Sequence, residues 1–237
     1  MKELSLILQF VQQILPAIWI TLLISVISIG IGTIFGFLLA WGKMSRLKSV
    51  RWLTSIYVSV IRATPAIIMI FIVYYGLPFL FKGWFHLNIE GWQRMYFVII
   101  ALTLLFSAPV AEIMRSAYLA VPKGQQEAGL LVGMTKFQVF YRILLPQAFV
   151  IALPNFANSV INLLKEGALT FTIGVVDMVA KAQMIVSNNS GGFAFETYGA
   201  LALIYWVISL AIDKFVSSAE KAYRRKRQTI DGSREAV

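Results

Sequence analysis

Five stretches of this chain are too long and too apolar to be held in water by a soluble fold. A hydrocarbon layer of roughly 30 Å takes about 20 predominantly apolar residues to cross as a helix. Spans of that kind are read from about Ile14 to Ala40, Leu53 to Phe81, Met95 to Ala117, Pro146 to Leu164 and Thr197 to Val216. The fourth is the weakest, because Asn155, Asn158 and Asn162 interrupt it and a further apolar piece, Ala168 to Val179, follows. Lipid offers no hydrogen bonds, so spans of this length must pair their backbone internally as helices. The expected class is an all-α integral membrane protein with five transmembrane helices. Composition agrees, with 59% of the 237 residues apolar and 14% charged, far from the soluble average. The chain has no cysteine and one histidine, His86, which excludes disulfides and thiolate sites and argues against a multi-histidine metal site. Near the start only Lys2 is basic and the apolar run is too long for a cleavable signal, so the first helix is read as retained.

Topology follows from where Lys and Arg fall. A net charge of +10 invites a nucleic-acid reading, but in a membrane chain basic residues mark the inner side. "KMSRLKSVR" carries four of them, Arg115 to Arg142 four, and the tail from Lys214 seven, against only Lys2, Lys82, Arg94 and Lys181 on the other side. The N-terminus is therefore expected outside and the C-terminus inside, which requires an odd number of crossings. The outer loop "KGWFHLNIEGWQR" supplies Trp84 and Trp92 as interfacial anchors. The basic tail, about 217–237, reads first as inner-side retention with attraction to anionic lipid, and second as a regulatory site. "SNNSGG" reads as a flexible outer connection.

One inner segment, "GQQEAGLLVGMTKFQVFYRILLP", is amphipathic where its surroundings are apolar. Pro122 suits the start of a helix over Lys123 to Val132, and Gly133 suits the left-handed residue that ends it. Thr135 and Gln138 have capping-box spacing, opening a second helix toward Pro146. Ala128, Gly129 and Gly133 are expected to keep the surface low for a partner's groove, with Glu127 and Lys136 at its rim. The competing reading is an interfacial helix lying on lipid; the small residues and the few Lys and Arg argue against it.

Ionisable groups within spans are costly, about 2.5–3.5 kcal/mol at the centre on insertion scales, so each is a site candidate. Asn155, Asn158, Asn162 and Glu166 recur at spacings of three and four, which puts them on one helical face. That stripe either lines a hydrated path or glues helices together. Lys165 adjoins it, and Gly167 can break the helix there, leaving backbone groups to be paired by protein or water. Unwound backbone beside opposite charges suits a zwitterion. Glu112 and Arg115, three apart, are placed to pair with each other. Pro65 is expected to kink the second span, and Arg62 to snorkel or to clamp a neighbouring helix. "GIGTIFG" lacks the Lys-Ser or Lys-Thr of a phosphate loop; Gly32 and Gly36 have the small-xxx-small spacing of close helix packing. No phosphate loop occurs elsewhere, so ATP hydrolysis is not expected of this chain.

"EAGLLVG" followed by "ILLPQA" resembles the EAA signature of permease subunits of bacterial ATP-binding-cassette importers. "VIRATP", "AEIMRSAYLAVPKGQQEA" and "INLLKE" resemble the polar amino-acid branch of that family. The resemblance covers about Ile14 to Arg227. It implies a single transmembrane permease domain over 1–237 of the type I importer kind, in the inner membrane, with the loop at about 118–145 carrying a cytoplasmic coupling helix. It further implies docking through Glu127, Ala128, Gly129 and Gly133 to separate ATPase subunits, which hold ATP and Mg, while this chain holds no cofactor. A solute-binding protein outside and a second permease subunit, identical or similar, complete the assembly. Glu112 is carried over as a substrate candidate, Arg115 as structural, and Arg62, Thr64 and Pro65 as a structural or gating element. One departure stands out: the family often follows "LLK" with an acidic residue, Thr, Ser and Leu, whereas Glu166 here precedes Gly167, Ala168 and Leu169. The cargo implied is a polar amino acid, with cystine or another sulfur-containing amino acid, glutamine and basic amino acids all open.

Two rivals make different demands. A proton- or sodium-coupled secondary transporter would use Glu112 or Glu166 as its ion site, but the chain has no evident inverted repeat. A membrane enzyme needs convergent catalytic groups, and His86 stands alone.

Overall fold

The computed structural model describes the backbone of residues 2–235, with side chains from 5 to 221 except 219. The basic tail's side chains from 222 onward, and that of Lys2, lie outside the described residues. All regular structure among the described residues is helical. Five helical stretches are long and apolar enough to cross a membrane: Ser5–Lys43, Ala66–Phe85, Arg94–Ala120, Lys136–Ile173 and Ala194–Ser218.

The first stretch begins earlier than Ile14. Helix α1 (Lys2–Ile14) passes through a single 3-10 turn at Leu15–Ala17, where Pro16 sits, into α2 (Ile18–Lys43). Its face carrying Phe10 and Ile14 packs on Met178, Ala182 and Ile185 and on Ala200, Leu201 and Ile204. The sequence reading missed α1 because Lys2, Glu3 and three glutamines, Gln9, Gln12 and Gln13, dilute its hydropathy while its buried face stays apolar.

Pro65 does more than kink the second span. Thr64 is held extended (φ −86°, ψ 123°), as the residue before a proline must be. Helix α3 (Lys48–Ala63) therefore ends, and α4 (Ala66–Phe71) starts afresh. The apolar crossing runs from Ala66 through a π-turn at Ile72–Gly76 into α5 (Leu77–Phe85), not from Leu53. His86, with φ 54°, closes α5 in the left-handed region.

The third expectation holds closely, with α6 at Arg94–Ala120. This is the central helix. Phe97, Val98, Ala101, Leu102, Phe106, Val110 and Ala111 are all buried in the main apolar cluster. Gly32 and Gly36 of α2 face it: a Cβ on Gly36 would lie 2.7 Å from Val110 Cγ1 and 2.8 Å from the Ser107 carbonyl. Ser28 Oγ donates to the Ile99 carbonyl at 3.3 Å. The pairs advance together along both helices, so α2 and α6 run parallel, as the first and third crossings must. Backbone approach through small residues is how helices adhere where lipid removes the hydrophobic drive.

The amphipathic segment folds as its capping signals predict. Helix α7 (Lys123–Leu131) ends at Gly133, φ 84°. Met134 N–H donates to the Gly129 carbonyl and Gly133 N–H to that of Leu130, both at 3.1 Å. This is a Schellman ending. Thr135 and Gln138 form the reciprocal capping box that opens α8 (Lys136–Val139). A π-turn at Phe140–Leu144 joins α8 to α9 (Leu145–Gly167). Beyond Gly167 the chain tightens into a 3-10 helix, Ala168–Ile173, and reverses at Gly174, φ 81°. The Arg94 guanidinium donates to the Gly174 carbonyl at 3.2 Å and fills the space a side chain there would need. A helix not foreseen, α10 (Met178–Asn188), follows, capped by Asp177 Oδ1 accepting from Ala180 N–H at 2.8 Å. The long α11 (Ala194–Glu235) contains the fifth crossing and continues into the tail.

Candidate functional site

From Asn155 onward helix α9 has two chemically different faces. Ala157, Ile161 and Leu164 are buried, whereas Asn155, Asn158, Asn162 and Lys165 are all exposed. Among the described residues, none of those four side chains is hydrogen-bonded. The asparagines thus do not glue helices within this chain. An open polar stripe on a helix of crossing length cannot rest stably on lipid, so its covering must come from water or from another subunit.

Beside the stripe lies a recess of about 200 Å³, lined on one wall by Arg62 and Thr64 and on another by Ser159, Asn162 and Glu166, with Leu105, Phe106 and Pro109 of α6 as its floor. Arg62 and Glu166 bring opposite charges to one small space. Neither has an ion pair or hydrogen bond among the described residues. Arg62 therefore clamps no helix of its own chain. Thr64 Oγ1 is engaged locally with the Val60 carbonyl at 2.8 Å, and Pro65 acts by placing the break that frees this end of α3. Pro109 has no N–H for the Leu105 carbonyl four residues back, which leaves an acceptor at the same floor. Ser159 escaped the sequence reading, although its spacing of three from Asn162 is the signal that found the asparagines.

Glu112 has a different fate. It is paired with Lys43 of α2 and with Arg115, whose Nε lies 2.9 Å from Oε2. The Arg115 pairing was expected from spacing; that of Lys43 was not, because it sits where a loop begins. Lys43 and Glu112 are 14% and 22% exposed, and they border a second recess, about 430 Å³, with Ser55, Ser59 and Arg62. Glu112 enters any substrate chemistry already neutralised.

At the hairpin, Glu127 and Ala128 are exposed and Gly133 is an open turn, but Gly129 is buried. A Cβ there would meet Val139 Cγ2 at 2.8 Å and Ile143 Cδ1 at 2.9 Å. Its smallness lets α7 close on the following helix rather than lowering the outer surface, which corrects the expectation. What the hairpin presents outward is apolar bulk: Leu131 is 88% exposed, Val132 77% and Phe137 75%, with Tyr141 stacked parallel to Phe137 at 6.4 Å.

Five helices of crossing length, a recess that brings Arg62 and Glu166 together unpaired among the described residues, and a capped helical hairpin describe a membrane protein with an open polar site. The chain belongs to the family of binding-protein-dependent transport system inner membrane components, whose model matches residues 32–225. It is 39% identical over 215 residues to the probable amino-acid permease protein YxeN of Bacillus subtilis (strain 168), covering 89% of this chain and 93% of that one. It is 33% identical over 228 residues to the L-cystine transport system permease protein TcyL of the same organism, covering 96% and 94%. A crystal structure of an amino acid ABC transporter with histidines superposes with a TM-score of 0.77 at 32% identity, covering 91% of this chain and 96% of that one. The fold is that of type I importer permeases, and the protein is a multi-pass component of the inner membrane. The relatives are transport permease subunits of amino-acid ABC systems.

Proposed function

We propose that this chain is the transmembrane subunit of an ATP-driven importer and moves a polar amino acid inward by alternating access. The observation that carries the reading is the recess where Arg62 and Glu166 face one space unpaired, beside Ser159 and Asn162. A zwitterion needs a cation for its carboxylate and an acceptor for its ammonium. This recess offers both, Arg62 from an exposed position and Glu166 from a half-buried one, where a charge-assisted hydrogen bond is stronger than in water. In this reading Asn155, Asn158 and Lys165 continue the hydrated path, Glu112 and Arg115 hold its inner end in shape, and Arg62, Thr64 and Pro65 bind and gate.

One chain presents half of such a path, so a second permease subunit, identical or similar, covers the α9 stripe. The N-terminus lies outside and the C-terminus inside, as the Lys and Arg distribution favours. The hairpin then projects into the cytoplasm, where Leu131, Val132, Phe137 and Tyr141 seat in a cleft of an ATPase subunit, with Glu127 and Lys136 at the edge. ATP and Mg bind that partner. A solute-binding protein delivers the amino acid outside.

The test is uptake into vesicles carrying the full assembly. Accumulation that requires ATP on the hairpin's side, and is lost in Glu166→Ala while the assembly still purifies intact, supports the reading. Uptake driven by an ion gradient without ATP would replace it with a secondary transporter.

A further inference from the structure

Helix α3 carries three distinct faces. Thr54, Tyr57, Val58 and Ile61 turn toward the bundle, and Leu53, Ile56 and Val60 form an exposed apolar strip. Between them runs a third set: Lys48, Arg51, Ser55, Ser59 and Arg62, at spacings of three, four, four and three. At 3.6 residues per turn these fall in one stripe about 80° wide. A basic stripe beside an apolar strip is what a helix at the membrane interface shows, its charges toward water; what sets α3 apart is that its polar stripe ends at the Arg62–Glu166 recess.

The recesses follow that stripe. Arg62 borders both the 200 Å³ recess and the 430 Å³ one, and Ser55 borders both the latter and a third of about 750 Å³ lined by Lys48, Arg51 and Trp52. The three therefore follow one another along α3, from the Arg62–Glu166 recess to the basic loop, with Arg62 and then Ser55 standing between neighbours. The charged groups along them are Lys43, Lys48, Arg51 and Arg62 against Glu112 and Glu166, and Glu112 is already paired with Lys43 and Arg115. The track is net positive.

We propose that the polar face of α3 is the route by which substrate leaves toward the cytoplasm, and that its positive field selects a neutral or acidic amino acid over one with a cationic side chain. The proposal rests on the import reading and its orientation. Serine hydroxyls at Ser55 and Ser59 offer weak, repeated partners that pass a carboxylate along without holding it. A groove of net positive charge raises the local concentration of anions and depletes cations, so an arginine- or lysine-like cargo would meet a barrier beyond the recess.

The absence of cysteine makes the test direct. Ser55→Cys and Ser59→Cys in the full chain, in inside-out membrane vesicles, are treated with sulfonatoethyl or trimethylammonioethyl methanethiosulfonate. Val60→Cys serves as the lipid-side control and Val58→Cys as the buried one. Both serine positions should react far faster than either control. Measured against a small free thiol, the anionic reagent should be favoured over the cationic one by about tenfold, and Arg51→Gln should reduce that preference. Labelling at the serine positions no faster than at Val60→Cys would overturn the route, whether lipid or another subunit covers the face. A preference for the cationic reagent would overturn the selectivity, as would a cationic amino acid emerging as the preferred cargo in ATP-driven uptake. Labelling needs no substrate, so a wild-type, unlabelled assembly that shows no ATP-driven uptake, with the serine positions labelling as expected, would count against the import reading and not against an accessible α3 face.

Discussion

The two sides of α6 are built on opposite terms. Toward α2 it is dry and closed: Gly32 and Gly36 admit backbone contact, Ser28 donates to the Ile99 carbonyl, and Glu112 ends the seam between Lys43 and Arg115. Toward α3 and α9 it forms the floor of a recess whose Arg62, Asn162 and Glu166 have no partners among the described residues. The first seam is complete within one chain. The second is left open among the described residues, and that difference separates what holds this fold together from what is free to act.

The sharpest way to break the contrast is steric. Gly36→Leu should cost about 3 kcal/mol or more, because the side chain must enter space occupied by Val110 and the Ser107 carbonyl. Gly30→Leu, six residues earlier on the open face with nothing within 4 Å of its Cβ, should change little. Thermal unfolding of the purified subunit in detergent measures both. Equal losses would show that α2 packs tightly all round and that the seam is nothing special.

Next in size is the ion cluster that closes the seam. Glu112→Gln leaves Lys43, only 14% exposed, without its counter-charge, and should cost about 1–3 kcal/mol, below the full cost of a buried pair because water still reaches the site. Lys43→Met together with Glu112→Gln should recover part of that loss. A double variant no better than the single one would mean the pair is not coupled.

How far these two seams could be read in the sequence differs for a physical reason. Gly32 and Gly36 announce close packing by spacing alone, and the Thr135–Gln138 box and Gly133 announce the hairpin, because these are local rules that tertiary context did not override. The asparagine stripe was likewise legible as one face of α9. Arg62 joining Glu166 was not, since the two lie about a hundred residues apart and meet only because Pro65 stops α3 where it does. Gly129 misled in the other direction: a small residue in an amphipathic segment gives no sign of which side it faces, and the facing Val139 and Ile143 belong to the next turn of chain. Helix α1 and α10 were missed because each buries a short apolar face without the long run that marks a crossing.

The open seam should show the inverse pattern to Gly36, with function lost and stability kept. Glu166→Gln removes an unpaired carboxylate from a recess, so unfolding should shift by no more than about 0.5 kcal/mol in either direction, or the variant should gain slightly, as expected where a site is strained for use. ATP-driven uptake should fall at least about tenfold, the size of one charge-assisted hydrogen bond in a desolvated site. A stability loss comparable to that of Glu112→Gln would reclassify Glu166 as structural.

The smallest effect is expected at Asn158, and it decides what covers α9. The side chain is exposed and unbonded within the described residues, so Asn158→Ala should leave the isolated subunit's stability unchanged within about 0.5 kcal/mol. If the stripe lines water between two subunits, the pair should also persist, and uptake alone should weaken. If the stripe instead bonds across to the second subunit, each lost interhelical hydrogen bond is worth about 0.6 kcal/mol in a membrane, nearly threefold in association, and dissociation on dilution in detergent would register it. Adding Asn155→Ala separates the outcomes further, because hydrogen bonds across an interface accumulate with each one removed, whereas a hydrated wall tolerates a second alanine with little effect on assembly.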